Sequence, residues 1–133
     1  MNILFLCVAN SARSQMAEGL ARWMAPEGTQ VWSAGSEPTS VRPQAVVVLS
    51  ELGVDISRHD SKGFDAIPWD DIDRVITLCG EEHCPVLPPG VRHDHWPIDD
   101  PAGFDEEPPA AQLQRFRVAR DAIRGRLEAF YGI

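Results

Sequence analysis

The chain has 133 residues, of which 44% are hydrophobic and 24% are charged, and its formal net charge is −8. These values suit one globular domain and exclude extended disorder as the main state of the chain. A chain this acidic has little positive charge with which to neutralise a phosphate backbone, so we expect no nucleic-acid partner.

No segment of the sequence approaches the roughly 20 consecutive apolar residues that span a bilayer. Residues 1–6 lack the basic region and the small-residue cleavage site of a signal peptide. The three cysteines cannot close into a complete set of structural disulfides. We therefore expect a cytoplasmic protein without membrane association, in which cysteines are catalytic, metal-binding or buried. We also expect it to be a monomer.

In the first half of the chain, short apolar runs that predict strands alternate with segments whose apolar residues are spaced as in a helix. Residues 3–6 form an unbroken apolar run, which is typical of a buried parallel strand. A polar loop follows from Cys7 to Ser14. A second strand is predicted over residues 31–35, and Pro43 suits the first turn of a helix that ends near Gly53. The first helix, between the loop and the second strand, is predicted from the apolar spacing of Met16, Leu20, Trp23 and Met24.

The second half of the chain continues this alternation. Residues 54–73 predict turns or a short helix, and residues 74–78 predict a third strand that ends at Cys79. Residues 80–90 predict a loop, because they are rich in proline. Residues 91–96 predict a fourth strand with more polar content. A long final helix is indicated by Leu113, Phe116, Ala119, Ile123, Leu127 and Phe130.

Strands that alternate with helices indicate βαβ units and therefore a parallel sheet. The sequence predicts an α/β fold in which residues 1–133 form a single domain, with a four-stranded parallel sheet flanked by helices on both faces. Ligands of such sheets bind beyond the carboxyl ends of the strands. Cys7, Cys79 and Asp100 each follow a predicted strand, so we expect them at the same end of the sheet.

The loop after the first strand has the features of an oxyanion site. Five residues separate Cys7 from Arg13, whose guanidinium fork matches the oxygen atoms of phosphate or arsenate. The same positive surroundings favour the thiolate of Cys7, which is its nucleophilic form. Ser14 can donate a hydrogen bond to this sulfur, and Asn10 tolerates left-handed backbone angles. The alternative interpretation is that Cys7 is an inert, buried cysteine at the end of a strand. We expect the oxyanion to be bound by Val8, Ala9, Asn10, Ser11, Ala12 and Arg13.

The motif Cys7-x5-Arg13-Ser14, followed by Gln15-Met16-Ala17-Glu18, resembles the low-molecular-weight protein tyrosine phosphatases. It resembles even more closely the thioredoxin-coupled arsenate reductases that share their fold. This resemblance implies reduction of arsenate to arsenite. It extends in order along nearly the whole chain through Ser33-Ala34-Gly35, Val54-Asp55-Ile56-Ser57, Thr77-Leu78-Cys79, Cys84-Pro85, Leu87-Pro88-Pro89, His95-Trp96 and Asp99-Asp100-Pro101-Ala102-Gly103.

The resemblance implies a relay of three thiols. Cys7 binds arsenate, Cys79 attacks Cys7 to release arsenite, and Cys84 then attacks Cys79. Thioredoxin would reduce the resulting disulfide. Glutaredoxin with glutathione is an alternative donor, because only four residues separate Cys79 from Cys84. Two other interpretations remain open, namely inert core thiols and a metal site. The ligands of such a metal site would be Cys79 and Cys84 with His83, His93 or His95. We expect no metal, because no second cysteine pair follows.

The resemblance also assigns a general acid and a cation region. Asp100 matches the acid that protonates the departing oxygen, although an aspartate before proline is also a common turn element. Some family members bind potassium through residues that match Asn10, Glu18 and Ser33, together with an acidic residue. Lys62 takes that acidic position here, so we expect its ammonium to replace potassium and pair with Glu18. An exposed loop lysine is the alternative.

Two other functions compete with arsenate reduction. A phosphatase acting on phosphotyrosine would use the same Cys7, Arg13 and Asp100, but Ala102-Gly103 stand where phosphatases of this fold carry aromatic residues. Even as a reductase, the protein would retain weak phosphatase activity, because the chemistry of the loop is shared. A non-catalytic oxyanion sensor would not need the complete set of nucleophile, arginine and acid.

Overall fold

The structure, a computed structural model, describes residues 1–79 and 92–132. Its strands are β1 (Asn2–Cys7), β2 (Gln30–Gly35), β3 (Arg74–Thr77) and β4 (His93–His95). Its α-helices are α1 (Arg13–Met24), α2 (Pro43–Ser50) and α3 (Pro109–Tyr131), and two single-turn 3-10 helices are formed by Phe64–Ala66 and Trp69–Asp71. The predicted loop over residues 80–90 lies outside the described residues, as does Cys84.

The four strands pair in parallel in the order β2-β1-β3-β4, as the sequence predicts. The central strand β1 is the unbroken apolar run, and both of its neighbours pair with it along nearly its full length. Cys7 is in register with Gly35 on β2, and Leu6 is in register with Thr77 on β3. The register therefore aligns the carboxyl ends of these three strands at one edge.

Helices cover both faces of the sheet, which confirms the predicted layers. Ile3 and Phe5 of β1 point to the face that carries α1, α2 and α3. Leu4 and Leu6, which alternate with them, pack on the other face against the segment that carries the two 3-10 helices. Both faces of β1 are thus buried, which explains why its sequence is apolar at every position from residue 3 to residue 6.

The apolar stripe of α1 differs from the prediction at one residue. Met16 and Leu20 are fully buried and Met24 packs at the edge of the core, whereas Trp23 is 49% exposed. The predicted place of Trp23 in this stripe is therefore wrong. The buried stripe follows a spacing of four residues, and Trp23 lies at its margin, where the Arg124 guanidinium stands 5.5 Å from its ring centroid.

Helix α3 packs against α1 and α2 and holds them on the sheet. Pro109 occupies its first turn, and Gly132 ends it with a left-handed backbone at φ 72°. The buried Arg120 joins α3 to α2, because it donates to Val48 O and to Glu51 Oε1, each at 2.8 Å. Within residues 1–79 and 92–132, none of the helices combines the length and the apolar character needed to cross a bilayer.

Candidate active site

A pocket of about 270 Å³ opens beyond the carboxyl end of β1. It brings together three residues that the sequence singles out, namely Cys7, Arg13 and Asp100. Most of its wall is the loop between β1 and α1, so Cys7 and the residues of this loop border the same space. The lining residues are Cys7, Val8, Ala9, Ser11, Ala12, Arg13, Arg42, Asp100 and Ala102.

Two residues allow the loop its tight shape. Asn10 has a positive φ of 48°, which its short polar side chain tolerates. Gly35, at the end of β2, lies so close to the loop that a Cβ there would stand 2.4 Å from Val8 O and 2.8 Å from the Asn10 backbone nitrogen. The absence of a side chain at residue 35 therefore lets the loop close over the end of β2.

A chain of hydrogen bonds leads from Glu18 to the sulfur of Cys7. Ser33 Oγ donates to Glu18 Oε1 at 2.6 Å. Asn10 Nδ2 donates to Ser33 Oγ at 3.0 Å and to Ser14 Oγ at 2.8 Å. Since an amide nitrogen only donates, Ser14 keeps its own hydrogen for Cys7 Sγ, which lies 2.8 Å away. The network thus directs a hydroxyl donor at the sulfur of Cys7.

Arg13 is the first residue of α1, and its guanidinium is held by backbone carbonyls. Its NH1 group donates to Ile98 O at 3.0 Å and to Leu78 O at 3.4 Å. The residue is only 5% exposed. Because these acceptors follow β4 and β3, the ends of two strands orient the guanidinium towards the pocket. Arg13 also lines the pocket, so a guanidinium stands beside the space in which an oxyanion would lie.

Asp100 lines the same pocket from the segment that follows β4. One carboxylate oxygen accepts from the Ala102 backbone N–H at 3.0 Å, which is the turn contact expected before Pro101. The other lies 3.7 Å from the NH2 group of Arg13, and the side chain is 51% exposed. The carboxyl of Asp100 is therefore accessible to solvent and lines the same pocket as Cys7 and Arg13.

Cys79 lies two residues beyond the end of β3, which pairs with the strand that ends in Cys7. The backbone N–H of Leu78 donates to Leu6 O at 2.9 Å, so the pairing of β1 and β3 continues to the residue before Cys79. Cys79 is fully buried. Neighbouring strands therefore carry these two cysteines to the same edge of the sheet. The third cysteine of the predicted relay, Cys84, lies outside the described residues.

The buried Glu18 carboxylate is surrounded by cationic groups. Arg22 lies 3.2 Å from Oε2 as an i,i+4 partner, and Lys62 Nζ lies 3.5 Å from Oε1. Lys62 Nζ also donates to Asp60 O at 2.8 Å, and the Lys62 backbone N–H donates to Asn10 Oδ1 at 2.8 Å. Asn10, Glu18, Ser33 and Lys62 thus lie together behind the oxyanion loop.

His59 completes this region as a neutral imidazole. Its Nδ1 lies 3.0 Å from Gln15 Oε1, which is an acceptor because Gln15 Nε2 donates to Asn10 Oδ1. Nδ1 therefore carries the hydrogen. Burial lowers the pKa of His59, Glu18 opposes this shift, and Arg22 and Lys62 add to it. His59 thus has a structural place behind the loop.

The lowered pKa of His59 predicts a loss of stability in acid. Below about pH 6.5 the unfolded chain binds a proton at His59 more readily than the folded chain, so the free energy of unfolding falls with pH. Because the ring is half-buried, we expect about 0.5 kcal/mol from this residue between pH 6.5 and pH 5.5. Urea denaturation at both pH values should show a smaller loss in His59→Gln than in the wild type. An identical loss in the two proteins would contradict this expectation.

Arg42 also lines the pocket, and the sequence pattern did not identify it. It precedes Pro43 at the start of α2, and its backbone N–H donates to Ser11 O at 2.8 Å. The predicted topology could nevertheless have identified Arg42, because β2 ends at the edge of the sheet that carries Cys7. The residues that lead from β2 into α2 must therefore pass beside the oxyanion loop.

In the part of the chain that the structure describes, no group of three His, Cys, Asp or Glu residues is placed to hold a metal ion. His93 and His95, which the sequence analysis considered as metal ligands, both lie within hydrogen-bond distance of another side chain. His93 Nε2 and His95 Nδ1 lie 2.8 Å and 2.7 Å from the hydroxyl oxygen of Thr77.

Known proteins resemble this chain over nearly its full length. "Arsenate reductase 2" of Staphylococcus haemolyticus is 42% identical over 130 residues, which cover 96% of this chain and 94% of that protein. The crystal structure of an arsenate reductase from Archaeoglobus fulgidus matches with a TM-score of 0.84 and 32% identity, covering 98% of this chain and 99% of that one. A thioredoxin-dependent arsenate reductase of Corynebacterium glutamicum matches with a TM-score of 0.73 and 30% identity, covering 98% of this chain and 60% of that one.

The resemblance inferred from the sequence motifs is confirmed. A family model described as "Low molecular weight phosphotyrosine protein phosphatase" matches residues 2–131. This match includes the oxyanion loop, the four strands and the three α-helices. The chain therefore belongs to the low molecular weight phosphotyrosine protein phosphatase family.

Proposed function

We propose that this protein reduces arsenate to arsenite, with Cys7 as the nucleophile. The observation that carries the proposal is the hydroxyl of Ser14, which the network directs at Cys7 Sγ inside a pocket that also holds Arg13 and Asp100. The relatives that match most of the chain are named arsenate reductases, which favours arsenate as the oxyanion.

In the first step, the Cys7 thiolate forms a bond to the arsenic atom of arsenate. One oxygen leaves as water once it has received a proton, and we assign the supply of that proton to Asp100, which lines the pocket. Loop N–H groups and Arg13 stabilise the negative charge on the remaining oxygen atoms. The product is a covalent adduct in which arsenic is still in its oxidised state.

The second step supplies the two electrons. Cys79 attacks Cys7 Sγ, a sulfur–sulfur bond forms, the sulfur–arsenic bond breaks, and its electron pair leaves with arsenic as arsenite. Cys84 then attacks Cys79, which frees the Cys7 thiolate and moves the disulfide to Cys79–Cys84. Two thiols are thereby oxidised for each arsenate reduced. The placement of Cys7 and Cys79 at neighbouring strand ends supports the first exchange.

A dithiol reductant must then reduce the Cys79–Cys84 disulfide. We propose thioredoxin, because the similar protein of Corynebacterium glutamicum is described as thioredoxin-dependent. Glutaredoxin with glutathione is the alternative donor. Either system belongs to the reducing cytoplasm, where we place the protein.

The family description also names a second candidate reaction, hydrolysis of phosphotyrosine. It would use the same three pocket residues, Cys7, Arg13 and Asp100. The described pocket wall offers Ala102 next to Pro101 and contains no aromatic ring against which a phenyl group could stack. We therefore propose phosphomonoester hydrolysis only as a weak side activity.

Coupled turnover tests the proposal. The reduced protein is mixed with thioredoxin, thioredoxin reductase and NADPH, and NADPH oxidation is followed after addition of arsenate. We expect oxidation in proportion to the arsenate added, with arsenite as product. A protein that hydrolyses p-nitrophenyl phosphate rapidly but forms no arsenite, with either thioredoxin or glutaredoxin, would be a phosphatase.

We further propose that Lys62 takes the place of potassium beside Glu18. Wild-type kcat/KM should then not change when potassium replaces choline at constant ionic strength. In Lys62→Asp, the added carboxylate should create a cation site, and potassium should raise kcat/KM severalfold. Arg22→Gln, which removes the other cation that pairs with Glu18, serves as the control and should stay independent of potassium. Strong activation of the wild type by potassium would contradict this role.

A further inference from the structure

Arg42 lines the Cys7 pocket beside Arg13, and the reaction scheme above gives it no role. Its backbone is fixed against the oxyanion loop by the hydrogen bond to Ser11 O. Its side chain is partly buried and lines the pocket together with Cys7, Arg13 and Asp100. The position of Arg42 at the start of α2 is therefore set by the same loop that would hold the oxyanion.

The guanidinium of Arg42 differs from most others in its lack of an internal partner. Across residues 1–79 and 92–132, Arg42 makes no ion pair and no side-chain hydrogen bond. By contrast, ion pairs are formed by Arg13, Arg22, Arg74, Arg115, Arg117, Arg120 and Arg124. Arg42, a partly buried residue of the pocket lining, can therefore give its guanidinium donors to a ligand at no cost in internal contacts.

The net charge of the pocket lining also favours a role for Arg42 in binding an anion. Arg13 already faces the carboxylate of Asp100 at 3.7 Å, and Cys7 adds a negative charge when it is a thiolate. Without Arg42, the charged groups of the lining would sum to a net negative value, on a chain whose formal charge is −8. With Arg42, the charges of the lining are balanced, so the loop N–H groups can attract an anion without opposition from a net negative pocket.

We propose that Arg42 is a second anion-binding residue, which donates to the outer oxygen atoms of a tetrahedral oxyanion while the loop and Arg13 bind the others. The identity of the physiological anion rests on the proposed function, but the contact itself applies to any such dianion, including inorganic phosphate. Arg42 holds the anion and does not take part in bond making. Its loss should therefore raise KM far more than it lowers kcat.

Inorganic phosphate tests this binding without any requirement for arsenate reduction. The rate at which iodoacetamide alkylates Cys7 is measured by mass spectrometry over a range of phosphate concentrations at constant ionic strength. Protection of Cys7 gives the phosphate Kd for the wild type, Arg42→Gln, Arg42→Lys and Arg126→Gln. The last variant removes the same charge from an exposed position on α3 that does not line the pocket.

We expect the phosphate Kd to rise about tenfold in Arg42→Gln, the loss typical of one charge-assisted hydrogen bond at a partly exposed position. Arg42→Lys should retain part of the affinity, because it keeps the charge but loses the fork. Arg126→Gln should match the wild type. The arsenate KM should rise in parallel in Arg42→Gln, with kcat within twofold.

A phosphate Kd in Arg42→Gln that equals the value in Arg126→Gln would overturn the role of Arg42, whatever the protein does with arsenate. If no variant reduces arsenate but Arg42→Gln still loses phosphate protection, the proposed function fails and the anion contact stands. A melting temperature within a few degrees of the wild type shows that the fold of each variant is intact.

Discussion

Replacement of Cys79 by serine is expected to abolish catalytic arsenate reduction and to leave phosphomonoester hydrolysis intact. A hydroxyl cannot attack the Cys7–arsenic adduct to form a disulfide, so arsenite is not released and turnover stops. Cys79 follows β3 and does not line the pocket, so the oxyanion loop should keep its shape. We expect coupled NADPH oxidation to fall by roughly 1000-fold or more, a loss of about 4 kcal/mol in transition-state stabilisation.

The phosphatase side activity serves as the internal control. Hydrolysis of p-nitrophenyl phosphate should stay within about twofold of the wild type in Cys79→Ser, which shows that the pocket is folded. Cys7→Ser should lose both activities, because both begin with the same sulfur. Continued arsenate turnover in Cys79→Ser would show that Cys79 is an inert core thiol.

Replacement of Arg13 by lysine should strongly lower kcat/KM for arsenate, although less completely than removal of Cys7. The lysine keeps the charge, but a single ammonium cannot hold the carbonyl oxygens of Leu78 and Ile98 and also bind two oxygen atoms of arsenate. We expect kcat/KM for arsenate to fall by 10²- to 10³-fold, as for other lost transition-state donors.

Arg22→Lys is the matched control for this substitution. Arg22 also lies on α1 and also donates to a carbonyl, that of Val31, but its side chain is 54% exposed and lies outside the pocket. Its replacement should change kcat/KM by less than about twofold, as is usual for exposed ion pairs. Equal losses in Arg13→Lys and Arg22→Lys would show that Arg13 acts only through the stability of α1.

The sequence predicts the sheet and the loop well because their signals are local. An apolar run that is buried on both faces can hardly be anything but a central strand, and β1 is that strand. The spacing of Cys7 and Arg13 places a loop of fixed length between this strand and α1. The positive φ of Asn10 is the conformation that its residue type suggests.

Features that depend on distant parts of the chain could not be predicted in the same way. The carbonyls that orient Arg13 belong to residues 65 and 85 positions further along the chain. Arg42 reaches the pocket only because β2 and α2 bring it there. Trp23 is exposed because it lies at the margin of the buried face of α1. The spacing of apolar residues predicts that such a face exists, but it does not define how wide the face is. The fourth strand spans only His93–His95, whose polar side chains gave a weak strand signal.

A single turnover without any external reductant tests the central claim most directly. The fully reduced protein is mixed with excess arsenate, and arsenite is measured together with the disulfides, which are mapped by mass spectrometry. We predict one arsenite for each protein molecule, with a Cys79–Cys84 disulfide and a free Cys7 at the end. Arsenite far below this ratio, or its release with all three cysteines still reduced, would contradict the thiol relay.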